Sequence, residues 1–253
     1  MSRNSAYYLF LLTFLLIPKS IVAANDSFPS SQKKVIENTN QDSLKTMISR
    51  MVGPEAAERI YEQSTLEKEG LRLEELGLYD EAIKKYQESI LPKYIQGDGN
   101  NSRGLCGMAI CYHKKGEFEK ALKIMNGLVK RAPRKTEYAE RKQELEALIK
   151  ARDTKNNTSI YEFISYLKEK HKNQMPPHGH NIDRISTILH LYDYMGDVDS
   201  GIKLTAEAIQ YLQKKGYGTE EYWEMRRAFE ADKKAGAKGR ATKILMRSKY
   251  FFW

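Results

Sequence analysis

The segment GEFEKAL (116–122) occurs in outline three times along the chain. GLYDEAI (77–83) and GDVDSGI (196–202) share its order of a glycine, an apolar residue two positions later, an acid, a small residue and an aliphatic one. The first two glycines are 39 residues apart, and the second and third are 80 apart, which is close to two steps of the same length. A spacing that is kept along a chain predicts an array of one structural unit.

The residues on either side of Gly116 have the spacing of two amphipathic helices. Before this glycine, apolar residues recur at i, i+3, i+4 and i+7, and after it a second apolar face runs on to Pro133. Gly116 can take the left-handed conformation that ends a helix, so we expect two antiparallel helices joined by a short turn. Small residues on the facing sides would let such helices approach closely: Gly70, Ala82, Ala109 and Ala121.

These positions resemble the tetratricopeptide repeat, in which a large residue, a small residue, a Tyr-like residue, Ala, an aromatic residue and Pro follow one another at fixed offsets. The resemblance implies an all-α fold, an α-solenoid of antiparallel helix pairs with a capping helix and flexible ends. The residues that carry it are Leu105, Ala109, Tyr112, Ala121, Met125 and Pro133 in one unit, Leu66, Gly70, Leu73, Ala82 and Tyr86 in another, and Ile185, Leu189, Tyr192, Gly201 and Ala208 in a degenerate third.

The repeats divide the chain into predicted segments. They are a signal peptide (1–24), a disordered linker (25–40), N-terminal helices (41–62), two repeats (63–135), a degenerate helical hairpin with a histidine-containing loop (136–181), a third repeat (182–215), a capping helix (216–234) and a basic aromatic tail (235–253).

The first residues have the pattern of a secretory signal peptide. Arg3 precedes the apolar stretch 7–17, and small residues follow at 22–24. The stretch is shorter than the roughly 20 residues that span a bilayer, so cleavage near Ala24 is favoured over an uncleaved anchor. We therefore expect an exported protein, periplasmic or extracellular after cleavage. Cys106 and Cys111 are expected to stay unbridged, because five residues turn about 140° around a helix.

The sequence carries no recognisable catalytic motif. It has no Gly-rich phosphate loop following a strand, no HExxH and no nucleophile elbow, so we expect a protein that is not an enzyme. The charged runs EKEGLRLEE (67–75) and YAERKQELE (137–145) are interpreted as solvated helix faces. The net charge of +9 comes from the two ends, residues 1–24 and 233–253, so no nucleic-acid partner is expected.

The segment HKNQMPPHGHNID (171–183) is the one candidate metal site. Imidazole with thioether suits copper, and imidazole with carboxylate suits zinc. The alternative is a polar linker between repeats that happens to contain histidines, and this alternative is favoured, so no cofactor is expected. The candidate copper or zinc ligands are His171, Met175, His178 and His180.

The C-terminal tail separates basic from apolar side chains on a helical wheel. Such a segment can lie on an anionic membrane surface, dock into a partner or into this protein's own groove, or remain a disordered basic tail. The residues that carry the pattern are Arg240, Lys243, Ile244, Arg247, Phe251 and Phe252.

The resemblance also implies how the protein acts. Arrays of this kind bind an extended peptide or a helix on a concave face built from the first helix of each pair. We therefore expect an exported, non-enzymatic protein–protein interaction scaffold of the cell envelope, and the alternative is a metal or small-ligand carrier that uses the 171–180 loop. The sequence does not identify the protein or peptide partner. The candidate residues of the concave face are Glu67, Leu71, Glu74, Arg103, Ile110, His113, Lys114, His190 and Tyr194.

Overall fold

The structure, a computed structural model, describes residues 46–90, 102–176, 178 and 181–245. Within these ranges the chain is helical and contains no β-strand, which confirms the predicted all-α class. The predicted signal peptide and linker, His180 and the tail residues Arg247, Phe251 and Phe252 lie outside the described residues.

The chain divides into two compact units between Tyr61 and Glu62. In the first unit, residues 46–52 are helical and Gly53 takes a φ of 89°. The next helix, α1 (Pro54–Glu75), begins with a proline, whose missing N–H is not needed in the first turn. Helix α1 continues into the second unit.

The second unit consists of consecutive helices that pack as neighbours. Helix α2 packs on α3, α3 on α4, α4 on α5, α5 on α6, α7 on α8 and α8 on α9. The last helix, α10, packs on α9 and also returns to α7. Their bounds are α2 (Tyr79–Ser89), α3 (Ser102–Lys114), α4 (Phe118–Arg131), α5 (Thr136–Thr154), α6 (Thr158–Lys170), α7 (Ile182–Met195), α8 (Val198–Lys215), α9 (Glu220–Ala235) and α10 (Arg240–Leu245), with a 3-10 turn (Lys172–Gln174) before α7.

The repeated glycine of the GEFEKAL outline is a helix stop. Gly77, Gly116 and Gly196 take φ values of 76°, 75° and 79°, which residues with a Cβ rarely adopt. At Gly116 the backbone N–H donates to the carbonyl of His113, and the next N–H donates to the carbonyl of Tyr112. The same pair of hydrogen bonds recurs at the other two glycines. The pattern detected in the sequence is therefore a Schellman motif that ends α1, α3 and α7.

Small residues allow the first helices to approach. The ring of Tyr86 lies between Gly70 and Gly107, where an added Cβ would stand 2.8 Å and 2.4 Å from ring carbons. The Tyr86 hydroxyl donates to Glu74 Oε2 at 3.2 Å. Ala82 of α2 is fully buried beside them. Since real Cβ atoms do not come this close, helices α1, α2 and α3 hold their spacing only with glycine at both positions.

Two further expectations concern cysteines and membranes. Cys106 and Cys111 are both buried and unbridged, and burial raises the pKa of each thiol. Among the described residues, no helix combines the length and the apolar composition needed to cross a bilayer.

We predict opposite effects for two helical glycines replaced by alanine. Gly107→Ala forces a methyl group into the Tyr86 ring and lowers the free energy of unfolding by about 1–3 kcal/mol. Gly127→Ala, in α4, meets no heavy atom within 4 Å and raises stability by up to about 1 kcal/mol through helix propensity. Urea denaturation followed by circular dichroism measures both. Equal effects of the two substitutions on stability would show that the Tyr86 ring does not pack against Gly107.

Candidate functional site

Three helices bring polar side chains together inside the second unit. His113 of α3, Glu144 of α5 and His190 of α7 are all buried, with 4%, 1% and 4% of their surface exposed. The Nε2 atoms of the two histidines are 3.3 Å apart. One potential ligand atom from each of the three residues lies within 4.8 Å of the others. Residues far apart in sequence thus form one polar cluster, which we call the His–Glu–His cluster.

Both histidines of the cluster are uncharged at neutral pH. Burial lowers the pKa of His113 to about 3, helped by the positive charges of Arg141 and Lys114. Burial and the neighbouring His113 lower the pKa of His190 to about 3, although Glu144 acts in the opposite direction. The Nδ1 atom of His190 lies 3.2 Å from Thr242 Oγ1. Neutral imidazoles can act as metal ligands or as paired donor and acceptor.

Glu144 is only partly satisfied by its neighbours. Its Oε2 accepts a hydrogen bond from Arg141 Nη1 at 2.6 Å, and the same nitrogen donates to Thr187 Oγ1 at 3.0 Å. Its Oε1 is buried and has no hydrogen-bond partner among the described residues. A buried carboxylate oxygen without a partner is costly, so Oε1 marks a place where a ligand would be stabilising.

A cavity of about 70 Å³ adjoins the cluster. His113 of the cluster lines this cavity, and so does Arg141, which donates to Glu144 of the cluster. The lining is mainly apolar and also includes the charged residues Glu137, Arg141 and Arg184. Its lining residues are Cys106, Ala109, Ile110, His113, Met125, Glu137, Tyr138, Arg141, Leu145 and Arg184.

Glu140 organises a second charged group on α5. Its Oε1 lies 2.8 Å from Lys170 Nζ and 3.1 Å from His171 Nε2, and its Oε2 lies 2.5 Å from Arg184 Nη2. Burial would raise the pKa of Glu140, but the hydrogen bond from Lys170 and the charge of Arg184 outweigh it, so the pKa is lowered. Glu140 therefore stays ionised and fixes Arg184 at the wall of the cavity.

The C-terminal segment 239–245 packs against α7. The two carboxylate oxygens of Asp193 accept hydrogen bonds from the backbone N–H groups of Gly239 and Thr242, at 3.0 Å and 2.7 Å. Ala241 and Leu245 are fully buried. Of the alternatives for the tail, residues 240–245 thus dock onto this protein itself. Arg240 and Lys243 are exposed, and Ile244 is partly buried against the core.

The candidate residues of the concave face largely pair with one another. Glu67 lies 3.6 Å from Arg103, and Glu74 lies 2.9 Å from Lys114. The carboxylates of Glu67 and Glu74 therefore already form ion pairs within the fold. The remaining members are Leu71, which is exposed, Ile110, which lines the cavity, Tyr194, which is partly buried with its ring 6.1 Å from Phe118, and the paired His113 and His190.

The 171–180 segment is placed in several environments. His171 contacts Glu140, Met175 is buried in the hydrophobic core, and His178 is exposed. The structure therefore does not bring Met175 and His178 into one environment. A copper or zinc site that uses this loop stays a prediction, since His180 is not among the described residues.

Sequence reasoning missed Glu144, Arg141 and Thr242. The interpretation of 137–145 as a solvated face is wrong for Glu140 and Glu144, which are 4% and 1% exposed. The physical reason is that α5 packs on both α4 and α6, and cations from α5, α6 and α7 compensate its buried acids. The signal was present: these acids lie on the face that also carries Leu148.

Comparison with known proteins identifies no relative. No protein-family model, no curated protein and no solved structure matches the chain. The role of each residue is therefore inferred from burial, contacts and charge alone.

We predict that Glu140→Gln removes a pH-dependent part of the stability. At pH 7 the loss is about 1–3 kcal/mol, because Lys170 and Arg184 lose a charged acceptor. The native pKa of Glu140 lies below the unfolded value of 4.5, so its contribution is present above that value and disappears as the pH falls through the native pKa. Urea denaturation of the unaltered protein and of Glu140→Gln, from pH 7 to pH 3, measures how their free energies of unfolding converge.

The matched control is Glu146→Gln on the same helix. The Glu146 carboxylate is half exposed, and among the described residues its ion pair is with Lys142 at 3.4 Å. We expect a change below about 0.5 kcal/mol there. A loss at Glu140 that equals the control, or that persists unchanged at pH 3, would contradict the prediction.

Proposed function

We propose that this chain is an exported, non-enzymatic module of the tetratricopeptide type that binds an extended peptide or a helix. The binding surface lies on the first helices of successive pairs, α3, α5 and α7. The peptide inserts one apolar side chain into the cavity between them. The single observation that carries the proposal is that residues of all three helices line the same cavity.

The recurring helix stops support the architecture that the proposal assumes. Three glycine turns have the same hydrogen bonds, and the helices joined at Gly116 and at Gly196 pack as neighbours. Buried small residues stand at the facing positions, Ala109 on α3 and Ala121 on α4. Stacked helix pairs leave one side of each first helix for a ligand, which is how solenoid repeats form extended binding surfaces.

The size of the cavity favours a peptide side chain over a free small molecule. Pockets that hold drug-sized ligands occupy about 300–1,000 Å³, and this cavity of about 70 Å³ is far smaller. It suits one aliphatic or aromatic side chain projecting from a longer ligand. The rest of the ligand would then lie outside the cavity, along the helices.

The charged wall indicates what should flank the anchor. Arg141 and Arg184 both line the cavity, so two positive charges lie beside the position of the anchor side chain. A carboxylate next to that apolar side chain would be attracted to these charges. The acids Glu67 and Glu74 already pair with Arg103 and Lys114, so a basic ligand gains less from them.

Selection from a displayed peptide library tests the proposal. We expect enrichment of peptides in which an apolar residue stands next to Asp or Glu. Ile110→Trp fills the cavity and should weaken a selected peptide at least about tenfold, because burying such an anchor contributes about 1.5–3 kcal/mol. Fluorescence anisotropy with the synthetic peptide gives the dissociation constants.

The matched control is Lys130→Trp, which adds the same side chain at an exposed position of α4. It should leave the dissociation constant unchanged. A library that yields no common sequence, or peptides that bind Ile110→Trp as well as the unaltered protein, would overturn the proposed function.

A further inference from the structure

The His–Glu–His cluster has the composition of a metal site. We propose that His113 Nε2, His190 Nε2 and Glu144 Oε1 bind a single zinc ion, with the fourth coordination position open toward the adjoining cavity. None of these three residues belongs to the 171–180 segment. The inference also does not depend on peptide binding, since it concerns only side chains inside the fold.

The separation of the imidazoles fits zinc without rearrangement. Zinc binds imidazole nitrogen at about 2.0–2.1 Å, and a tetrahedral angle then places two such nitrogens about 3.3 Å apart. The Nε2 atoms of His113 and His190 are 3.3 Å apart. One carboxylate oxygen of Glu144 lies within 4.8 Å of a ring nitrogen of each histidine, so a small side-chain movement would bring it to the spacing that zinc requires.

The unsatisfied oxygen of Glu144 gives an independent reason to expect a ligand. Oε1 is buried without a hydrogen-bond partner among the described residues, while Oε2 is held by Arg141. The Arg141 contact fixes the carboxylate and leaves the other oxygen directed at no donor. A cation is the ligand that a lone carboxylate oxygen beside two neutral imidazoles would stabilise most.

The surroundings supply the outer contacts that metal sites require. An imidazole that binds metal through Nε2 usually donates its Nδ1–H to a neighbouring oxygen. His190 Nδ1 lies 3.2 Å from Thr242 Oγ1, and Asp193 holds the backbone of Thr242 at 2.7 Å. The docked segment 239–245 therefore orients a metal ligand on α7. The contact between Thr242 and His190, which are 52 positions apart in the sequence, would thus orient a zinc ligand.

The charge of the site indicates the fourth ligand. Metal ligands bind as a carboxylate and as neutral imidazoles, which leaves one positive charge on a zinc ion, and Arg141 adds a second positive charge nearby. An anionic fourth ligand, such as hydroxide or a carboxylate, would balance this charge. It would enter from the cavity, which His113 and Arg141 both line.

The competing explanation is a hydrogen bond between neutral imidazoles. Thr242 would then accept from His190 Nδ1, and His113 Nε2 would donate to His190 Nε2. This arrangement accounts for the histidine distance, but it provides no partner for Glu144 Oε1. A measurement of zinc binding distinguishes the proposed metal site from a hydrogen bond between the two imidazoles.

The test uses the full chain freed of metal with a chelator. Equilibrium dialysis against zinc, followed by elemental analysis, should give one ion per chain. Loading with Co²⁺ should give the intense visible absorption of a four-coordinate site. Glu144→Gln and His190→Gln should weaken binding by more than about 100-fold, and Thr242→Val by about 10–100-fold as an outer contact.

The matched control is His178→Ala, an exposed histidine that should leave affinity unchanged. Circular dichroism shows whether each variant folds. If a variant of a buried ligand does not fold, Thr242→Val still tests the proposal. The proposal is overturned if the unaltered chain binds no zinc, if Co²⁺ shows six-coordinate absorption, or if His178→Ala abolishes binding. Each of these results leaves the peptide-binding test unaffected.

Discussion

The contact between His113 and His190 is the constraint on which the centre of this protein depends. It joins α3 to α7, and the two histidines are 77 positions apart in the sequence. Neutral imidazoles at 3.3 Å can lie inside a core because each provides the other with a partner or shares one ligand. The cavity beside them is lined by residues of α3, α5 and α7 and by Met125 of α4.

The C-terminal segment belongs to this centre. Asp193 is fully buried and accepts hydrogen bonds from the backbone of Gly239 and Thr242, and Thr242 in turn contacts His190. Residues 239–245 therefore have a structural role within the fold. The basic and apolar pattern of the tail to which they belong is also typical of segments that bind membranes. Because Thr242 Oγ1 lies at His190 Nδ1, the contact links the position of residues 239–245 to the His–Glu–His cluster.

The sequence predicted the helices better than the cluster, for a physical reason. Helix periodicity and glycine stops are local, so the spacing around Gly116 was enough to predict α3, the turn and α4. The burial of Glu140 and Glu144 was not predictable in this way, since charged residues on a helix are usually solvated and their compensating cations come from three helices. His113 and His190 were each assigned to a first helix, but their pairing depends on how α3, α5 and α7 pack, which no local pattern specifies.

The most direct measurement is a crystal structure of the zinc-loaded chain, with anomalous diffraction collected at the zinc edge. We predict one anomalous peak about 2.0–2.2 Å from His113 Nε2, His190 Nε2 and Glu144 Oε1. An electron-density map in which these residues lie apart, or an anomalous peak at the 171–180 segment with none between the two helices, would contradict the account.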